Sequence, residues 1–275
     1  METLLEKYEK LIEKLKSYEK AAIAFSAGVD STFLLKAAKQ ALGENVIAIT
    51  GRLVSFPDKE FAEAEDFCRE NGIRHVYADL DQMSIPGFSD NPIDRCYICK
   101  KALFTRFLEI ASENGCAVLA EGSNADDITD YRPGLKALSE LEIKSPLKDC
   151  GLTKAEIREL SKKLDLPTWN KPSMACLATR FPYSEKLTEE KIRMVGEAED
   201  YLSEMGFKQV RVRYHGEIAR IEIDRALFEK IMKPEIMDEI SSKLHLLGFR
   251  YVTLDLDGYV TGSMNPAEVN PHRSL

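Results

Sequence analysis

Long apolar runs are missing from this 275-residue chain, and none approaches the length needed to cross a bilayer. Positive charge is in deficit: 38 Lys and Arg stand against 46 Asp and Glu, a formal charge of −8. A protein that grips a duplex or a tRNA usually carries a basic surface, so this balance weighs against nucleic acid as the partner. Histidine is scarce. His75, His215, His245 and His272 fall at no metal-ligand spacing, and His215 reads as a turn residue. There is one tryptophan, Trp169. No internal repeat and no low-complexity segment occurs. The N-terminal residues Met1 to Lys7 read as a charged amphipathic helix rather than a signal peptide, so the expected location is cytoplasmic, with no membrane partner. In that compartment six cysteines do not imply a disulfide framework.

What is present is organised around Ala21-Ala22-Ile23-Ala24-Phe25-Ser26-Ala27-Gly28-Val29-Asp30-Ser31-Thr32. Small and apolar residues read as a buried strand, and Leu34, Leu35, Ala37 and Ala38 give the following segment a helical apolar face. A strand therefore turns tightly into a helix. Small side chains let backbone N–H groups approach an anion, and the helix N-terminus adds its positive dipole end. Ser26, Ser31 and Thr32 add hydroxyl donors. The Gly-Lys-Ser/Thr ending of a Walker loop is absent. An ordinary strand-to-helix turn with chance serines is the plain alternative.

Strands are expected at Val46–Thr50, Ile73–Ala78 and Cys116–Ala120, alternating with helices over about 58–71 and 96–114. That order implies a mostly parallel sheet with helices on both faces. A long loop runs from Asp79 to Arg95, and Glu121 to Asp127 forms a polar loop at a strand's carboxyl end, the edge where open α/β sheets bind ligands. Asp126 and Asp127 either contact a nucleotide or its metal, or cap a helix. Thr153-Lys154-Ala155-Glu156 is a capping box. Beyond about residue 184 the pattern changes to a long helix, two antiparallel strands around His215-Gly216-Glu217, two helices and a strand. The expected division is residues 1–183 and a smaller α+β domain over 184–275.

Cys96 and Cys99 form a Cys-x-x-Cys pair at a helix start. The pair fits a redox couple, half of a zinc site, or two ligands of an iron–sulfur cluster, and unconnected thiols are a fourth reading. Cys68 and Cys116 read as core thiols. Arg211 and Arg213 lie two apart on a strand and share a face, suited either to phosphate or to solvent. Trp169 is read as lining a site or as core, and Glu222 as a surface residue.

The stretch Ser26-Ala27-Gly28-Val29-Asp30-Ser31 resembles the PP-loop of the ATP pyrophosphatases, Ser-Gly-Gly-x-Asp-Ser, with Ala27 replacing a glycine. Adding Glu121 to Asp127, Ser145-Pro146-Leu147, Lys171-Pro172-Ser173 through Cys176 to Arg180-Phe181-Pro182-Tyr183, Arg211-Val212-Arg213 and Ala219 to Glu222, nearly the whole chain is similar to the LarE family. That resemblance implies an adenine nucleotide alpha hydrolase-like fold and ATP-dependent sulfur transfer in nickel-pincer nucleotide biosynthesis. It implies pyridinium-3,5-biscarboxylic acid mononucleotide as substrate, ATP with Mg²⁺ as cosubstrate, and adenylylation of a carboxylate before sulfur displaces AMP. Ser26, Ala27, Gly28, Asp30, Ser31 and Thr32 would bind ATP, and Arg211 with Arg213 the substrate phosphate. Cys176 matches the sulfur-bearing cysteine, which in some members is sacrificed as dehydroalanine in a single turnover. This chain departs from those members by having Cys96 and Cys99 as well. It resembles the three-cysteine members, which hold a [4Fe–4S] cluster on residues matching Cys96, Cys99 and Cys176 and use a cluster-held hydrosulfide from sulfide or another sulfur donor. Trimers or dimers of trimers are expected, with the smaller domain serving substrate binding and oligomerisation. The rival functions are a PP-loop tRNA thiolase, an amidating synthetase of the NAD or GMP synthetase type, and a redox-sensing nucleotide-binding protein without catalysis.

Overall fold

A computed structural model describes residues 2–129, 133–172 and 175–265. Ser173 and His272 lie outside them. The chain forms two compact units: residues 1–85 with 94–174, and residues 86–93 with 175–275.

In the first unit, α1 (Leu4–Lys16) precedes β1 (Ala21–Ala24), α2 (Val29–Leu42), β2 (Val46–Arg52), α3 (Asp58–Glu70) and β3 (Arg74–Asp79). Then come α4 (Arg95–Glu113), β4 (Val118–Ala120), α5 (Pro133–Glu140), α6 (Pro146–Asp149) and α7 (Lys154–Lys163). The four strands are parallel, in the order β3-β2-β1-β4. Side-chain alternation along a strand splits the core into two layers. Ile23 of β1 and Val46 and Ala48 of β2 pack with Leu11, Leu15, Phe33, Leu34 and Phe67 on one face. Ala22, Ala24, Ile47 and Ile49 pack with Phe104, Phe107, Ile110 and Leu138 on the other. Small alanines along the central strand let helices close on both sides. Helices α5 and α6 were not expected from sequence: each is short, and α6 spans four residues. Lys144 extends the sheet, bridging to Ala120 in parallel.

The second unit contains α8 (Glu189–Glu204), β5 (Val210–His215), β6 (Ile218–Ile223), α9 (Phe228–Ile231), α10 (Pro234–Leu246) and β7 (Tyr251–Leu254). Its sheet has the order β5-β6-β7 and is mixed, with β5 and β6 antiparallel and β6 and β7 parallel. The segment 86–93 joins this unit through hydrogen bonds. Asn91 Nδ2 donates to Pro182 O at 2.6 Å, Ser184 N to Asn91 O at 2.9 Å, and Leu187 N to Ser89 O at 2.8 Å. Among the described residues no helix is long and apolar enough to cross a membrane.

Candidate active site

The turn after β1 has the form expected of an anion cradle. Gly28 is the N-cap of α2 and supplies no side chain to satisfy the first-turn amides. Ser26 and Ser31 close the turn on itself: Ser26 N donates to Ser31 Oγ at 3.3 Å, the two hydroxyls are 3.2 Å apart, and Ser31 Oγ donates to Gly28 O at 3.2 Å. Thr32 is fully buried and its Oγ1 has no hydrogen-bond partner among the described residues. Ala27 sits at φ +52°, in the left-handed region that glycine enters freely and alanine does not. The turn therefore keeps its shape although Ala27 replaces a glycine, and the backbone carries the strain.

Three neighbours hold this cradle. Lys154, the first residue of α7, forms an ion pair with Asp30, and Asn124 Nδ2 donates to the other oxygen of that carboxylate at 3.3 Å. Gly122 lies against the first turn of α2, where an added Cβ would stand 3.0 Å from Ser31 N, so the loop after β4 can approach only as glycine. On the other side Lys171 Nζ donates to Ala27 O at 3.2 Å and pairs with Glu60 and Glu63, each at 2.6 Å. Burial pushes the Glu60 carboxyl above the usual carboxylate range, and Lys171 offsets part of that shift. Neither Lys154 nor Glu60 was singled out from sequence as a site residue. A basic residue at the first position of a helix opposes the helix dipole, and that was the available signal for Lys154.

The loop Glu121 to Asp127 is built from its own carboxylates. Glu121 accepts from Ser123 N and Oγ at 3.0 and 2.9 Å and from Ser145 Oγ at 2.6 Å. Asp127 accepts from Asn124 N at 3.0 Å, and Asp126 from Lys154 N at 2.8 Å, so Asp126 does cap a helix.

The six thiols divide evenly. Cys68, Cys116 and Cys150 are buried, and burial raises the pKa of each, that of Cys68 to about 12. Cys96, Cys99 and Cys176 are only partly buried. The first two start α4 three residues apart, on one side of the helix. Cys176 belongs to the second unit, where it precedes a 3₁₀ turn, Leu177–Arg180. Thr179 donates to Cys176 O through its N and Oγ1, at 2.9 and 2.8 Å. Arg180 donates to Thr179 Oγ1 at 2.7 Å and holds Glu199 by two hydrogen bonds, 2.6 and 2.9 Å. Glu199 in turn accepts from Val212 N of β5 at 2.8 Å. Among the described residues no group of three or more His, Cys, Asp or Glu side chains stands together as a metal centre.

Arg211 and Arg213 are each 5% exposed, which rules out a solvated strand face. Glu222 is fully buried, correcting its reading as a surface residue. Arg213 bonds Glu222 at 2.8 Å and Ser263 Oγ at 3.0 Å, and Arg220 bonds Glu222 at 3.1 Å and Asp255. Arg211 donates to Val210 O at 2.7 Å and lies over the Tyr259 ring. Burial, and then the Arg180 guanidinium, lower the Arg211 pKa. Four guanidinium groups (Arg180, Arg211, Arg213, Arg220) thus stand with three carboxylates (Glu199, Glu222, Asp255), and the Nε–H groups of Arg213 and Arg220 have no hydrogen-bond partner among the described residues. Trp169 is 37% exposed and is not a core residue; Lys162 Nζ sits 4.9 Å from its ring.

No protein-family model matches the chain. It is 39% identical over 259 residues, 94% of its own length and 97% of the relative's, to an uncharacterised protein of Synechocystis sp.. It is 30% identical over 220 residues, 74% of its length and 70% of the relative's, to a subunit of the glutamine-hydrolysing GMP synthase of Pyrococcus abyssi. Over 266 residues it is 40% identical to the pyridinium-3,5-bisthiocarboxylic acid mononucleotide synthase of Lactiplantibacillus plantarum. Because that last match spans 96% of both sequences, the chain belongs to the family of that synthase, the LarE family of the PP-loop ATP pyrophosphatase superfamily.

Proposed function

We propose that this protein is an ATP-dependent sulfur transferase acting on pyridinium-3,5-biscarboxylic acid mononucleotide. The observation that carries the reading is the 40% identity to the named synthase along 96% of both chains. A carboxylate is a weak electrophile with a poor leaving group. Its oxygen attacks the α-phosphorus of ATP, pyrophosphate leaves, and the acyl adenylate gains AMP as a leaving group. Sulfur then adds to the acyl carbon and AMP departs. Ser26, Gly28, Ser31 and Thr32 receive the phosphates that become pyrophosphate, which Mg²⁺ accompanies, and Asp30 is held beside them by Lys154 and Asn124. The surplus guanidinium charge and orphaned Nε–H donors around Arg211 and Arg213 support substrate-phosphate binding there. We assign substrate binding and self-assembly to residues 184–275.

We assign Cys96, Cys99 and Cys176 as ligands of a [4Fe–4S] cluster. Their fit is chemical: they are the three thiols that burial has not sealed away. When bound, such a cluster supplies an iron without a protein ligand, where external sulfide can be held. The protein's part is to aim the two thiols of α4 to one side and to fix Cys176 through Thr179, Arg180 and Glu199.

The test is a reaction with MgATP, the mononucleotide and sulfide under anaerobic conditions. AMP, pyrophosphate and thiocarboxylate are expected in equal amounts. ADP with orthophosphate would overturn the reading. AMP and pyrophosphate formed with tRNA as the acceptor, and not with the mononucleotide, would favour the thiolase alternative.

A further inference from the structure

One buried amide touches a candidate ligand sulfur. Gln82 opens the 3₁₀ turn Gln82–Ser84 that follows β3, and it is 2% exposed. Asp81 caps that turn, accepting from Met83 N at 3.0 Å. A primary amide has two ends of nearly equal size, and its hydrogen bonds decide which is oxygen. Here the Ser55 backbone N–H donates to Gln82 Oε1 at 3.2 Å. That bond can be made only by the oxygen, so the nitrogen points the other way. Nε2 lies 3.2 Å from Cys99 Sγ. An amide N–H donates and never accepts, so sulfur is the acceptor in this contact.

A glutamine buried this deeply is costly unless both ends are satisfied, and a leucine would fill the same space without that cost. The backbone of Ser55 and the sulfur of Cys99 are what satisfy them. Side chains that donate to a ligand sulfur fix its direction and draw charge from it, and by doing so they favour the more reduced state of a cluster.

We propose that Gln82 is a positioning residue for Cys99: its amide, clamped by Ser55 N, donates to Sγ and sets the direction and electron density of that sulfur as a ligand. This rests on the reading of Cys99 as a cluster ligand. Two variants separate the amide's jobs. Gln82→Glu keeps an oxygen for Ser55 N and removes the N–H donor. Gln82→Leu removes both bonds at similar volume.

The full chain and both variants are reconstituted anaerobically, and iron content and midpoint potential are measured. The potential is expected to move to more negative values in both variants. Variants that melt with the parent and share its potential would overturn the proposal, because a purely structural glutamine does not shift a potential. A second measurement needs no metal. The chain has three glutamines, so the side-chain amide of Gln82 is readily assigned by NMR in apo-protein labelled at glutamine. Its N–H signals are expected to shift in Cys99→Ala and to stay in place in Cys96→Ala; no shift in Cys99→Ala also overturns the proposal. If the parent takes up no iron, the cluster reading fails, and the NMR comparison still decides whether Gln82 serves Cys99. The same comparison decides if a Gln82 variant does not fold.

Discussion

Ala27 shows how one residue reports a constraint. Its positive φ costs a non-glycine residue about 1–2 kcal/mol, and a glycine there returns part of that as unfolded-state entropy. Ala27→Gly is therefore expected to stabilise the protein by up to about 1 kcal/mol in denaturant unfolding; a loss of stability contradicts the strain argument. Arg213 differs in kind. Its ion pair with Glu222 is buried, and removing one partner leaves an unpaired charge, which typically costs about 3–5 kcal/mol. Arg213→Ala is expected to lower the melting temperature markedly, so Arg211→Lys is the better probe of substrate phosphate. It keeps the charge and loses the guanidinium fork. KM for the mononucleotide should rise with KM for ATP unchanged, and equal changes in both contradict a phosphate role. His75 supplies a pH dependence. Thr50 Oγ1 donates to Phe25 O at 2.8 Å, so His75 Nε2, 2.7 Å away, donates to Thr50, and Nδ1 is buried without a partner. Burial lowers the His75 pKa below its ordinary value of about 6.5. The unfolded chain then binds the proton first, so stability present above about pH 6.5 is lost as pH falls toward the folded pKa. Unfolding free energies at about pH 7 and about pH 5.5 should show this slope, reduced in His75→Gln.

At the scale of elements, the strand-turn-helix of residues 21–42 was legible because its signals are local: small apolar residues, a glycine and a helical apolar face. The parallel order of the first sheet followed from strands alternating with helices. Short α5 and α6 were not legible, because a helix of a turn or two has too few residues to show a period. Nor was the transfer of residues 86–93 to the second unit, since it rests on hydrogen bonds across about ninety residues of sequence. The Lys154–Asp30 pair spans 124 residues and was hidden for the same reason. It ties α7 to the start of α2 and neutralises a carboxylate beside the anion cradle. Removing Lys154 leaves that charge facing ATP phosphate. Lys154→Met is expected to weaken ATP binding roughly ten- to a hundredfold, as losing about 1.5–3 kcal/mol implies. Calorimetric titration with ATP checks this, and parent-like affinity contradicts it.

Across the whole molecule the six cysteines form two sets whose chemistry differs. A thiol with a pKa of about 12, as in Cys68, holds only about one part in ten thousand as thiolate near pH 8. Alkylation of the native apo-protein should therefore label Cys96, Cys99 and Cys176 first and leave Cys68, Cys116 and Cys150 until unfolding. Peptide mass spectrometry reads the order, and early labelling of the buried set contradicts it. The same three accessible thiols divide catalytic from sacrificial sulfur transfer. The most direct measurement is the amount of thiocarboxylate formed per protein chain in an anaerobic reaction with excess MgATP, mononucleotide and sulfide, with the mass of the Cys176 peptide read from the same sample. The expected result is more than one product per chain, with Cys176 still a cysteine and turnover lost in Cys96→Ser, Cys99→Ser and Cys176→Ser. Product that stops at one per chain, with Cys176 converted to dehydroalanine and Cys96→Ser unaffected, would contradict the three-thiol cluster and make Cys176 itself the sulfur donor.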